Sequence, residues 1–292
     1  YEQYDRDVQL RSVSLRHDAA VLRLEDKALV LSCGCNPRHI YLKPFEGTAN
    51  AVIENASNLA CLGADPLCIV DCLNFASPEH PEIFWQIEQC VLGLGDAARK
   101  MAIPIVGGNV SLYNESDEFG TQIKPTPSLG MVGRGEVREW TAPAEGELLA
   151  LIGRTLPDFG GSVLDAVTEC GGSAPAMADP AAVAIVRDLV RGNRVTTATD
   201  LSRGGLLAAL VKVAPQSDVS LAGDPMEELF SETYGRFLVT VRDESALVGV
   251  EHRTIGTVGG DALTLRLRDG TVVITPDELE TALTATTRKM RY

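Results

Sequence analysis

Short apolar runs alternate along the chain with longer stretches whose apolar residues recur at helical spacing. Residues 28–32 (ALVLS) predict a strand. Behind Gly47, residues 48–62 carry Ala51, Val52, Ile53, Ala56, Leu59 and Ala60, the spacing of an amphipathic helix packed on a sheet. Thr48 is placed to cap its start, Gly63 to end it, and Asp65-Pro66 to make the next turn. Residues 67–73 (LCIVDCL) predict a strand interrupted by one carboxylate, Asp71. Residues 81–100 predict a long helix with Ile83, Phe84, Ile87, Val91 and Leu94 along one side. Residues 103–106 predict a strand ending at Gly107-Gly108, and residues 128–132 one more.

A seam of small residues and proline falls at residues 141–147 (TAPAEGE), and the pattern then restarts. Strands are predicted at 148–153, 196–199, 237–241 and 272–274. Gly160-Gly161-Ser162 and Gly204-Gly205 each lead into a helix, the second over 206–213. The fold class is therefore α+β: a charged leading arm at 1–15, a first domain at 16–142 and a second at 146–292, each a mixed sheet backed by helices. No tandem repeat of about 20 to 50 residues is visible.

A length of 292 residues suits two domains. The start at Tyr1 rather than Met raises the expectation of a fragment. A net charge of −14 argues against nucleic-acid backbone as a partner, since counterion release needs clustered Lys and Arg. Phosphates can still be held locally, by Mg²⁺, helix-start N–H groups and a few cations. No apolar stretch reaches the roughly 20 residues of a membrane span, and residues 1–15 do not read as a signal peptide. Seven cysteines without a secretion signal point to reduced thiols and a cytoplasmic location. Cys33 and Cys35 have no second Cys/His pair at zinc spacing, so they read as inert.

Candidate chemistry gathers at five places. Residues 107–115 (GGNVSLYNE) follow a strand. Glycines there let backbone approach a phosphate, Asn109 offers a carbonyl to a hard cation and Ser111 a hydroxyl to a ligand; a Gly-rich turn with an Asn capping the next segment is the alternative. Asp71, mid-strand, must be paired, hold a metal or ribose, or bond a local turn. Arg38 and Lys43 either meet phosphate or belong to a solvated loop, with His39 a surface or structural histidine. The loops Asp158–Ser162 and Asp200–Gly205 each suit an anion or a ribose. Glu228 and Glu232, four apart, either share a helix face around a ligand or lie on a solvated face.

Taken in order, Asn36-Pro37-Arg38 with Glu46-Gly47, Asp71-Cys72-Leu73-Asn74-Phe75, GGNVSLYNE at 107–115, Pro125-Thr126-Pro127 with Gly130-Met131-Val132-Gly133, Gly160-Gly161-Ser162, Asp200 with Gly204-Gly205, and Leu229-Phe230-Ser231-Glu232 with Gly235-Arg236 resemble the second half of phosphoribosylformylglycinamidine synthases. The wider superfamily is that of aminoimidazole ribonucleotide synthetase, which shares the two-domain plan but not the string GGNVSLYNE. The resemblance implies a complete protein with two such halves. It would convert formylglycinamide ribonucleotide to the amidine with ATP, Mg²⁺ and glutamine-derived ammonia, activating the amide oxygen as an iminophosphate that ammonia displaces. It also implies Asp71 and Gly108 as ATP contacts, Asn109 as a Mg²⁺ ligand and Ser111 as a substrate contact. The implied partners are the amino-terminal half, a glutaminase and a small accessory subunit.

This half departs from the family's first half. That half has a His-rich catalytic loop where this chain has Asn36-Pro37-Arg38, and a metal-binding Asp where this chain has Asn58. The resemblance thus implies a degenerate half with no catalytic residue of its own, inactive alone, with a non-catalytic nucleotide-binding module as the rival reading. Thr199 and Arg203 depart from the family's second-domain loop. An A domain lacking its sister exposes an apolar sheet edge, which predicts a homodimer.

Overall fold

The computed structural model describes residues 18–138 and 141–289, so the arm expected at residues 1–15 lies outside the described residues. The first unit runs β1 (Ala20–Leu24), β2 (Lys27–Gly34), α1 (Pro37–Leu42), α2 (Pro44–Ala60), β3 (Asp65–Asn74), α3 (Pro81–Lys100), β4 (Ile105–Ser111), the short β5 (Glu115–Ser116) and β6 (Thr121–Gln122), and β7 (Thr126–Glu136). Its sheet has the order β1-β2-β7-β3-β4. Only β3 and β4 pair in parallel, and α3 supplies the crossover that a parallel pair requires.

One face of this sheet is covered. Val30, Ile69, Leu129 and Met131 are buried with Ile53, Ala56 and Leu59 of α2 in one core. The other face is open, with Val70 44 % exposed, and β4 is the sheet's last strand, with Val106 and Val110 exposed.

Three local expectations are corrected. Helix α2 begins at Pro44 rather than Thr48, because proline at the first helical position has its φ pre-set and lacks the N–H that would go unpaired. Thr48 is therefore interior and fully buried. Asp65-Pro66 belongs to β3 instead of forming a turn, accommodated by a register shift between Pro66 and Cys68 against β7. Gly107-Gly108 likewise lies within β4, which is extended through both glycines by its pairing to β3.

The second unit contains β8 (Leu148–Ile152), α4 (Val163–Thr168), α5 (Ala181–Arg191), β9 (Thr197–Asp200), α6 (Gly205–Val213), β10 (Ser217–Leu221), α7 (Pro225–Phe230), β11 (Phe237–Val241), a 3₁₀ turn (Glu244–Leu247), β12 (His252–Val258), β13 (Leu263–Leu267), β14 (Gly270–Ile274) and α8 (Pro276–Lys289). The sheet order is β14-β13-β10-β12-β8-β11-β9, mixed because β10 and β13 are parallel. Helix α2 packs on α5, and Val186, Leu189, Phe237 and Val239 join the first unit's core. On the other face of the second sheet, Leu206 and Leu210 of α6 bury Leu149 and Leu238. The chain is an α+β protein of two helix-backed mixed sheets with α2 between them. Among the described residues no helix is long and apolar enough to cross a membrane.

Candidate functional site

The β3–β4 register sets Asp71 beside Gly108, Cys72 beside Asn109 and Asn74 beside Ser111. Side chains alternate along a strand. Asp71, which is also aligned with buried Leu129, therefore shares the helix-covered face with Gly108. Asn109 and Ser111 lie on the open face. The four residues expected from the sequence are gathered on neighbouring strands but divided between the two faces of the sheet.

Their environments differ. A Cβ at Gly108 would collide with the Asp71 carboxylate, whereas one at Gly107 would meet nothing within 4 Å. The carboxylate has no hydrogen-bond or ion-pair partner among the described residues, and partial burial alone raises its pKa. Asn109 Nδ2 stands 3.9 Å from Cys72 Sγ. Ser111 Oγ donates to Asn114 Oδ1 at 3.2 Å, and Asn114 Nδ2 donates to the carbonyls of Phe75 and Ser111 at 2.9 Å each. The asparagine that secures this segment is thus Asn114. Among the described residues no group of three His, Cys, Asp or Glu side chains could hold a metal. Asn109 offers a single neutral oxygen where a hard divalent cation takes several, so the described residues around it do not by themselves build a Mg²⁺ site.

A second constellation lies on the seam between the two units. The Asn36 side chain caps α1, its Oδ1 accepting from the N–H groups of Arg38 (3.1 Å) and His39 (3.4 Å), with Pro37 in the first turn. The segment, for which the sequence leaves a solvated loop as one of two readings, is a helix start. The cap leaves Arg38 exposed and turns His39 inward to 1 % exposure, so His39 is structural and not a surface residue. Its Nδ1 lies 3.0 Å from Tyr234 Oη and 3.2 Å from Asn36 Nδ2, and its Nε2 faces Glu232 Oε2 at 3.6 Å. Glu232 Oε1 accepts from the backbone N–H groups of Val163 and Gly204, both at 2.8 Å. Burial, then Arg203 and Arg38, lowers the His39 pKa to about 4; burial raises that of Glu232 against its N–H donors.

Beside these residues a cavity of about 290 Å³ is lined by Asn36, Arg38, Lys124, Gly161, Arg203 and Glu232. Lys124 arrives from the strand-connecting segment before β7 and rests 4.4 Å from the Tyr41 ring centroid. Lys43 is not among the lining residues. Glu228 and Glu232 do not share a helix face. Helix α7 stops at Phe230, Ser231 is extended, and Glu228 instead pairs with Arg253 while Glu232 points to the seam. Asp200 ends β9 buried, its carboxyl pushed up by burial and then by Asp18 and Glu54, and lies outside the cavity lining. The parts of this constellation are nearly 200 positions apart in sequence, and no spacing signal joins them.

Residues 16–135 match the family described as AIR synthase related protein, N-terminal domain, and residues 144–261 match AIR synthase related protein, C-terminal domain. The phosphoribosylformylglycinamidine synthase subunit PurL of Methanosarcina mazei is 44 % identical over 312 residues, covering 99 % of this chain and 43 % of that protein. The chain therefore spans less than half the length of this curated relative. The fold is that of Thermotoga maritima PurL: its complex with FGAR matches 94 % of this chain and 50 % of its own, at a TM-score of 0.73 and 17 % identity. Its complex with ATP matches 88 % and 39 %, at a TM-score of 0.61 and 22 % identity. With both domain matches in order and almost the whole of this chain aligned to part of a PurL subunit, the chain belongs to the AIR synthase related family, in the lineage of the phosphoribosylformylglycinamidine synthase PurL subunits.

Proposed function

We propose that this chain is the carboxyl-terminal part of a PurL-type subunit and completes the active site of the cytoplasmic ligase that makes formylglycinamidine ribonucleotide from formylglycinamide ribonucleotide, ATP and glutamine-derived ammonia. The observation that carries the reading is Asp71: a part-buried carboxylate over a glycine, without a partner among the described residues, on the strand next to an uncovered sheet edge. In this reading Asp71 and the Gly108 backbone meet ATP, Ser111 meets the substrate, and Asn109 gives one oxygen to a Mg²⁺ held mainly by the rest of the subunit. The general base and the main cation ligands come from the amino-terminal half, with a glutaminase and a small accessory subunit as further partners. The test is Asp71→Asn in the complete subunit. The reading expects kcat/KM for ATP to fall by at least about tenfold, and an unchanged value rejects the assignment.

A second reading, a nucleotide-binding module without turnover, is favoured by the seam cavity, where Arg38, Lys124 and Arg203 converge. Calorimetry with ADP and Mg²⁺ decides it: heat that saturates and is lost in Arg203→Ala supports the module, and no heat at millimolar nucleotide rejects it.

A further inference from the structure

We infer that His39 is a positioning residue: held as its neutral Nε2–H tautomer, it steadies the Glu232 carboxylate across the seam, and Glu232 fixes the Gly204 and Val163 N–H groups beside the cavity. The part that concerns ligand affinity rests on the reading of that cavity as an anion site.

The tautomer follows from the helix cap. Asn36 Oδ1 is committed to the N–H groups of Arg38 and His39, so the Asn36 group facing His39 Nδ1 is its NH₂. A ring nitrogen that accepts from an amide carries no proton. The Tyr234 hydroxyl, 3.0 Å from the same nitrogen, is left the donor's part. The ring proton of neutral His39 is therefore on Nε2, and Nε2 faces Glu232 Oε2.

Among the described residues neither Nε2 nor Oε2 has another hydrogen-bond partner, and both side chains are 1 % exposed. At 3.6 Å the pair is longer than an ordinary hydrogen bond, so Nε2–H acts as an aligned dipole on a buried carboxylate. The other carboxylate oxygen ties together two separate loops, the start of α4 at Val163 and the start of α6 at Gly204. A residue of the first unit thereby sets the shape of a wall made by the second. The charged and titratable groups around the ring are Arg38, Arg203, Glu232 and Tyr234, with Lys124 across the cavity and Glu54 acting on Tyr234. Burial first, then the two arginines, keeps the ring neutral, which leaves Nε2–H in place through the physiological range.

The test is ¹⁵N-detected NMR of the histidine rings of this chain, with His39 assigned by its loss in His39→Gln. The inference expects the Nε2–H tautomer, unprotonated down to about pH 4. In parallel, pyrophosphate binding is measured by calorimetry. His39→Gln, which keeps an N–H toward Glu232, should hold affinity within about threefold, while His39→Leu and Glu232→Gln should each lose about tenfold or more. An Nδ1–H tautomer, a ring that titrates near 6.5, or Gln and Leu variants that bind alike would overturn it. If the wild-type chain binds no pyrophosphate, the anion reading of the cavity falls, and the tautomer alone decides the role of His39.

Discussion

The Asp71 carboxylate fills the space that any side chain at residue 108 would need, so Gly108 is the condition for Asp71 standing where it does. Gly107, one residue earlier on the same strand, has open space around its missing side chain. The two glycines of GGNVSLYNE therefore have different reasons to be glycine, and paired variants separate them. Gly108→Ala in the complete subunit should lower kcat/KM for ATP by about tenfold or more, the same direction as Asp71→Asn. Gly107→Ala should leave it within about twofold. Steady-state kinetics with ATP varied would check both.

Gly93 on α3 lies against Phe45 of α2, and a Cβ there would collide with the Phe45 carbonyl oxygen. This close approach of α2 and α3 positions the helix layer behind β3. Gly93→Ala should destabilise by about 1 to 3 kcal/mol, measured by chemical denaturation with the m-value unchanged. A variant as stable as the parent would show that the helices part without strain.

Stability should fall as pH rises through neutrality, and Glu54 is one cause. Burial chiefly, then Asp18 and Glu232, raises its pKa to about 7 against the opposing Arg203 and Ser202. Its unfolded value is near 4.5, so the folded chain retains a proton between about pH 4.5 and 7 that the unfolded chain releases. The contribution is complete below about pH 4.5 and lost as pH climbs through about 7. Glu54→Gln keeps the neutral form, so it should raise stability above pH 7 by on the order of 1 kcal/mol, about 2 to 4 °C in Tm, and change little at pH 4. Thermal melts at the two pH values would show this difference, and equal shifts at both would exclude the titration as its source.

The open face of the first sheet and its edge strand carry Val70, Val106 and Val110 uncovered. In the account given above, the amino-terminal half covers them. Separated from it, the chain should associate with itself at micromolar concentration, and Val70→Lys with Val110→Lys should return it to a monomer. Sedimentation velocity over a concentration series reads both; a clean wild-type monomer throughout would contradict the expected cover.

Much of the fold was legible because it rests on local pattern. The apolar run at 67–73 became β3, the 3.6-residue spacing at 81–100 became α3, and the residues predicted at 237–241 are β11. What failed was punctuation. Thr48 looked like a cap but Pro44 started the helix a turn earlier, and Gly107-Gly108 looked like a turn but pairing with β3 kept both in a strand. The Asp71–Gly108 contact was half legible: the residue types stood out, yet their common face depends on register across two strands. The seam constellation was not legible at all. His39 and Glu232 meet only because α2 holds the two units together, and that contact leaves no period in the sequence.

The most direct test of the central claim is ammonia-dependent synthesis of formylglycinamidine ribonucleotide, assayed with this chain alone and with the amino-terminal half of a PurL subunit added. The account predicts no ATP-dependent turnover from the chain alone and turnover on addition of the missing half, abolished or sharply reduced by Asp71→Asn. Turnover by the chain alone at a rate comparable to the reconstituted pair would contradict it.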